Sequence, residues 1–109
     1  MENRSQHFKE RKAFVERTLR ACLETKRTFE AIRYAKDPHT EAEYIRITDI
    51  LGGKCYLDVT GETNDRIFGD ICRIIIAGEE KIPLPANYMT DAAKMFEVAH
   101  LFRGGVVNE

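Results

Sequence analysis

The chain contains no tryptophan, only three prolines and three cysteines, and no apolar run approaching the roughly 20 residues that cross a bilayer. Each absence removes a class of protein. Without such a run no membrane-spanning helix is expected, and the polar start MENRSQHFKE does not read as a signal peptide, so a cytoplasmic location is expected. The cysteines are Cys22, Cys55 and Cys72, each on the apolar face of a predicted element. Their odd number fits reduced core thiols better than a disulfide framework. None lies within four residues of another Cys or His, as a zinc site requires, so no metal is expected. A nucleophilic Cys would need a His and an orienting acid. Pairing Cys55 or Cys72 with His39 or His100 is the only combination open, and none of these residues stands in a catalytic context. Leu51-Gly52-Gly53-Lys54 joins strand to strand, whereas a phosphate loop opens a helix. No catalytic residue and no cofactor is therefore expected, and the chain is read as a non-enzyme.

What the chain does have is the balance of one folded domain over residues 1–109, with 43% hydrophobic and 32% charged residues. A chain of this length buries roughly 60–70% of its unfolded surface without disulfides or metal. Net charge is −1 but unevenly spread, +5 over residues 1–36 and −6 over residues 37–109. Such halves either pack on each other or present a basic surface to an acidic partner.

Residues 5–26 read as a helix, with Ser5 as N-cap and Phe8, Val15, Leu19, Cys22 and Leu23 as its core stripe. Phe14 falls outside that stripe. Either the helix is covered on two sides, or Phe14 joins Arg17 and Arg20 in a candidate contact surface. TFEAIRYAK, residues 28–36, is ambiguous between helix and strand. Strand is preferred because a two-stranded ribbon is marginal alone. Asp37-Pro38-His39-Thr40 turns the chain into strands over 44–50 and 54–60. Thr63 or Asn64 then caps a helix that Gly78 ends, with a stripe of Ile67, Phe68, Ile71, Cys72, Ile74 and Ile75. After a connector with two prolines, Thr90 caps a last helix to Phe102. Its inner side is expected to be Ala92, Met95, Phe96, Ala99 and Phe102. Gly104-Gly105 ends it, leaving a loose tail over 106–109. The fold class expected is α+β: an N-terminal helix, a three-stranded antiparallel meander, and two C-terminal helices packed on one sheet face.

The register of the central hairpin, YIRITDILGGKCYLDVT, decides which side chains remain free. A two-residue Gly52-Gly53 loop would set Thr48 beside Leu57 and Arg46 beside Val59, mixing polar groups into the apolar face. A three-residue Leu51-Gly52-Gly53 loop pairs Ile47 with Leu57 and Ile45 with Val59, with Gly53 in the left-handed position. Arg46 then stands opposite Asp58. Tyr44, Arg46, Thr48, Tyr56 and Asp58 share the face away from the core, and tyrosine and arginine are enriched at interface hot spots. These five and the Phe14, Arg17 and Arg20 set are the candidate partner-binding residues.

The helical N-terminus, the YIRITDILGGKCYLDVTG hairpin and the following TNDRIFGDICRII helix together resemble small uncharacterised proteins encoded by bacterial phages and conjugative elements. The resemblance implies a small soluble accessory protein of a mobile element. Some proteins of that kind are non-enzymatic inhibitors of host defence nucleases, anti-CRISPR proteins among them. Binding to another protein is thus the expected function, with a nuclease as one partner of that class. Glu79-Glu80, Asp65 and Asp70 would then compete for its basic nucleic-acid channel. The alternative is double-stranded nucleic acid held by the basic first helix, since helix, three strands, helix is also the order of double-stranded RNA-binding domains. The acidic GETNDRIFGD stretch at the start of the second helix opposes that alternative.

Overall fold

The computed structural model describes residues 4–25, 29–80 and 83–103. Helix α1 (Arg4–Thr25) precedes strands β1 (Phe29–Lys36), β2 (Glu43–Asp49) and β3 (Lys54–Asp58). Helices α2 (Asn64–Glu80) and α3 (Ala92–Ala99) follow, and a 3-10 turn over His100–Phe102 closes the described chain. The class and element order are those expected, and residues 29–36 are strand. No helix among the described residues is long and apolar enough to cross a membrane.

The strands form an antiparallel meander in the order β1-β2-β3. Period-two alternation along them builds two apolar faces instead of one. Ile32, Tyr34, Ile45, Ile47 and Leu57 bury against Val15 of α1 and Ile67, Ile71, Ile74 and Ile75 of α2. On the other face Tyr44 and Tyr56 bury against Met89 and Val98, with Met95, Ala99, Leu101 and Phe102 packed around them. The two C-terminal helices therefore cover opposite faces of the sheet. The expectation that both pack on one face is corrected: the tyrosines carry ring area that three strands alone leave wet, and α3 removes it from water.

The β2–β3 loop has the expected length but starts one residue earlier. Ile45 pairs with Leu57, Ile47 with Cys55, Arg46 with Tyr56 and Tyr44 with Asp58. A shift of the loop by one residue moves both strands together, so every side chain keeps its face. Asp49 decides between the two settings. Its Oδ1 accepts from the N–H groups of Leu51 at 2.9 Å and Gly53 at 2.8 Å, which fixes Asp49 as the last strand residue before a turn that begins at Ile50. Gly52, not Gly53, takes the left-handed conformation, at φ 89°. At Gly53 a Cβ would come within 2.7 Å of the Asp49 carboxylate, so the second glycine serves close approach.

Helix capping departs from expectation in two places. Thr63 caps α2 by accepting from the Arg66 N–H at 3.3 Å, as expected, but α2 runs through Gly78 to Glu80. Asp91 caps α3, its Oδ1 accepting from Ala93 N–H at 2.9 Å. A carboxylate at that position outdoes the neighbouring Thr90 hydroxyl because it also favours the positive end of the helix dipole. On α3 the buried residue is Val98, while Phe96 is 65% exposed. Phe68 on α2 is likewise exposed and Cys72 only half-buried. The side chains of Ser5, Cys22 and Leu23, and the chain from Gly104 onward, lie outside the described residues.

One polar cluster ties α1 to the sheet. Arg11 lies on the inner stripe of α1 between Phe8 and Val15 and is buried. It donates from Nη1 to Glu43 Oε1 at 2.8 Å and from Nη2 to the Glu62 carbonyl at 2.8 Å. His7 Nε2 stands 3.2 Å from the other Glu43 oxygen. A charge of the basic N-terminal third thus turns inward to a charge of the acidic remainder. Removing one partner of such a buried pair strands the other in a low-dielectric site. Arg11→Ala is expected to lower the unfolding free energy in urea titrations by about 3–5 kcal/mol. Arg11→Met combined with Glu43→Leu should cost less than Arg11→Ala alone. Equal or larger loss in the double variant would show that the pair itself, not the stranded carboxylate, carries the effect.

Candidate binding surfaces

The expected sheet-face set is brought together, but most of it is under cover. Tyr44 and Tyr56 are each 5% exposed. The Lys94 ammonium sits 5.7 Å from the Tyr44 ring centre, and Phe102 packs at 6.0 Å on Tyr56. Asp58 faces Tyr44 instead of Arg46 and engages Thr60, accepting from its hydroxyl at 2.7 Å and its N–H at 3.0 Å. The proposed Arg46–Asp58 neighbours are therefore one row apart. Arg46 instead lays its guanidinium over the Phe102 ring at 4.9 Å. Thr48 is half-buried and lies opposite Ala31 and Lys54.

On α1 the contact set divides. Phe14 is half-buried and packs on the main core, which fits a helix covered on two sides and corrects its assignment as a contact residue on the outer side. Arg17 and Arg20 are exposed, with the Arg17 guanidinium 5.9 Å from the Phe14 ring. The helix is covered over more of its circumference than the five-residue stripe implied, because β1 and α2 both lie against it.

The acidic group meant to imitate phosphate is also dispersed. Asp65 is exposed, but Asp70 is buried, and Asn87 Nδ2 donates both to it at 3.3 Å and to Glu62 at 3.1 Å. The side chains of Glu79 and Glu80 lie outside the described residues. Burial, and then the charge of Asp70, raise the Glu62 carboxyl above its usual range. Glu62 Oε1 is buried without a hydrogen-bond partner.

Two features escaped sequence reasoning. The first is an open pocket of about 450 Å³ under the β2–β3 loop, lined chiefly by Phe29, Ile47, Cys55, Ile74, Ile75 and Tyr88. Ile50 and Leu51 stand at its mouth. Because the loop starts at Ile50 instead of Leu51, two large apolar residues occupy the tip. The signal was present in the sequence, since two aliphatic residues in a turn have no local reason to be there. Cys55 lines the pocket, and burial pushes its thiol up to about 11, so it stands as an apolar, protonated group. Burial raises Cys72 as well.

The second feature is the row across the sheet formed by Arg33, Arg46 and Tyr56. Among the described residues no group of three or more His, Cys, Asp or Glu side chains is placed to hold a metal ion. No family model, no curated protein and no solved structure matches this chain.

The Glu62–Asp70 pair gives a pH test. A carboxyl raised in the folded state favours folding below its raised value and opposes it as pH climbs through that value. Glu62→Gln should therefore raise Tm at pH 7.5, and the gain should shrink at pH 4.5, as read by differential scanning fluorimetry. A gain independent of pH would rule out the charge repulsion as its cause.

Proposed function

We propose that this chain is a non-enzymatic module that binds another protein, and that it does so with the tip of the β2–β3 hairpin and the apolar pocket beneath it. One feature supports this: Leu51 is 90% exposed and Ile50 59% exposed, side by side above the pocket. Contiguous exposed apolar groups beside a concave apolar surface mark interaction sites in soluble proteins. A partner's aliphatic or aromatic side chain would enter between Phe29, Ile74 and Ile75, with Leu51 folding over it. Such anchors, desolvated and ringed by polar groups such as Asp49 and Lys54, carry most interface energy.

Within this proposal a nucleic-acid-handling partner, such as a host defence nuclease, follows from the resemblance to mobile-element proteins, and a cytoplasmic site of action goes with it. An apolar grip replaces phosphate imitation as the means, since Asp70 is buried. The double-stranded nucleic-acid alternative rests on the order helix, three antiparallel strands, helix that this chain shares with double-stranded RNA-binding domains. Against it, the first turn of α2 carries Asp65, and Arg66 leans toward Glu62 at 3.9 Å.

Affinity capture from a host lysate, with the bound proteins quantified, tests the proposal. Leu51→Asp should abolish the specific partner, whereas Arg17→Glu with Arg20→Glu should leave it bound. A partner held equally by Leu51→Asp would sink the hairpin-tip assignment.

A further inference from the structure

Val59 N–H donates to Glu43 O and Asp49 N–H to Gly53 O, so the odd-numbered residues of β2 turn their backbone groups toward β3. Strand alternation then turns Tyr44, Arg46 and Thr48 toward β1. Arg33 and Arg46 are therefore a hydrogen-bonded cross-strand pair with Cα atoms about 5.5 Å apart and side chains on one face. Like charges directly opposed in a sheet are destabilising. Neither arginine has an ion-pair partner among the described residues, and Arg46 Nε is buried with no acceptor. The terminal nitrogens of Arg46 are neither buried nor hydrogen-bonded, so they reach solvent. Phe102 holds the guanidinium plane from one side.

The next row of the same face reads Ala31, Thr48, Lys54. Lys54 is exposed, free of any carboxylate among the described residues, and diagonal to Arg46. Ala31 adds only a methyl group to that row, and Arg33 beside it is exposed. The carboxylate nearest in register, Asp58, lies one row away on the far side and is held by Thr60. Register thus sets three cations on one face of two adjacent rows, beside the short Ala31 and Thr48 side chains, with no ion-pair partner for any of them among the described residues.

We infer that Arg33, Arg46 and Lys54, with the Thr48 hydroxyl, form a binding site for a phosphoryl group. Two guanidinium forks and an ammonium match the charge and the acceptor geometry of a phosphate dianion, while a single carboxylate would leave two of the cations unpaired. A bound dianion relieves the repulsion between Arg33 and Arg46 that the sheet register imposes. The two arginines lie on the face opposite the apolar pocket, while Lys54, at the start of β3, also borders the pocket, so the site shares that one residue with the protein-binding surface and none of its apolar lining.

The test is a titration of the isotope-labelled chain with sodium pyrophosphate, followed by backbone amide NMR against sodium chloride at matched ionic strength. Saturable shifts are expected at Ala31, Arg33, Arg46, Thr48 and Lys54. Arg33→Gln, at an exposed position, should weaken binding about tenfold or more, with amide dispersion unchanged. Arg46→Lys, which keeps the charge but loses the fork, should weaken it to a smaller extent. Shifts that follow ionic strength alone, that centre on Lys9, Arg17 and Arg20, or that persist in Arg33→Gln would overturn the site. A duplex RNA arm separates sources of phosphate. Duplex binding displaced by pyrophosphate and lost in Arg33→Gln places a nucleic-acid backbone there. Pyrophosphate binding without duplex binding assigns the site to a small phosphorylated ligand.

Discussion

Period-two alternation through β2 and β3 is the constraint on which the rest of the molecule depends. It sends Ile45, Ile47 and Leu57 to one side and Tyr44 and Tyr56 to the other, and both sides are too apolar to stay wet. A three-stranded sheet with two such faces needs cover on each. α1 and α2 supply it on the aliphatic side, and α3 with the 3-10 turn on the aromatic side. The position of α3 is set by the segment before it. Asn87–Met89 pairs backbone to backbone with β3, Asp58 N–H to Asn87 O at 3.2 Å and Met89 N–H to Tyr56 O at 3.0 Å. That segment turns Met89 toward the tyrosines, and α3 follows.

Much of this is legible in the sequence, and the parts that are not share a physical origin. Parity fixed the face of each residue in the hairpin because a one-residue slip inverts every side chain, whereas the exact turn residues depended on the Asp49 carboxylate reaching two N–H groups. Tyrosine was read as an interface residue because its hydroxyl tolerates water. Its ring area is equally suited to burial, and only the fold decides which applies. Phe14 and Phe96 were misplaced for the same reason from opposite directions: helical periodicity gives the angle of a side chain, not how many neighbours surround the helix. Of the candidate contact residues, Arg17 and Arg20 are the ones placed on the surface as expected, and Arg46 acquired a different neighbour from the one foreseen. The hairpin tip and the Arg33–Arg46 row were missed because each needs two facts at once, a register and an absence of partners.

Charge follows a similar division. The basic N-terminal third is not simply a surface property, since Arg11 neutralises Glu43 inside the fold and Lys12 lies 3.9 Å from Glu16 on its own helix. What remains outward is divided between α1 and the open half of the sheet's aromatic face. A net charge near zero therefore hides local fields of one sign, which matter to a partner within a Debye length of roughly 8–10 Å.

The segment Asn87–Met89 has a consequence for how the sheet relates to other chains. By occupying the outer edge of β3 it leaves β1 as the free margin among the described strands. Alternation turns the backbone groups of Ile32, Tyr34 and Lys36 outward there. Growth of the sheet is thereby one-directional: a strand from elsewhere meets a closed border at β3 and an incomplete one at β1. The irregular pairing at Glu30 and the lysine at the strand's end are the features that make such a margin a poor template for uncontrolled stacking.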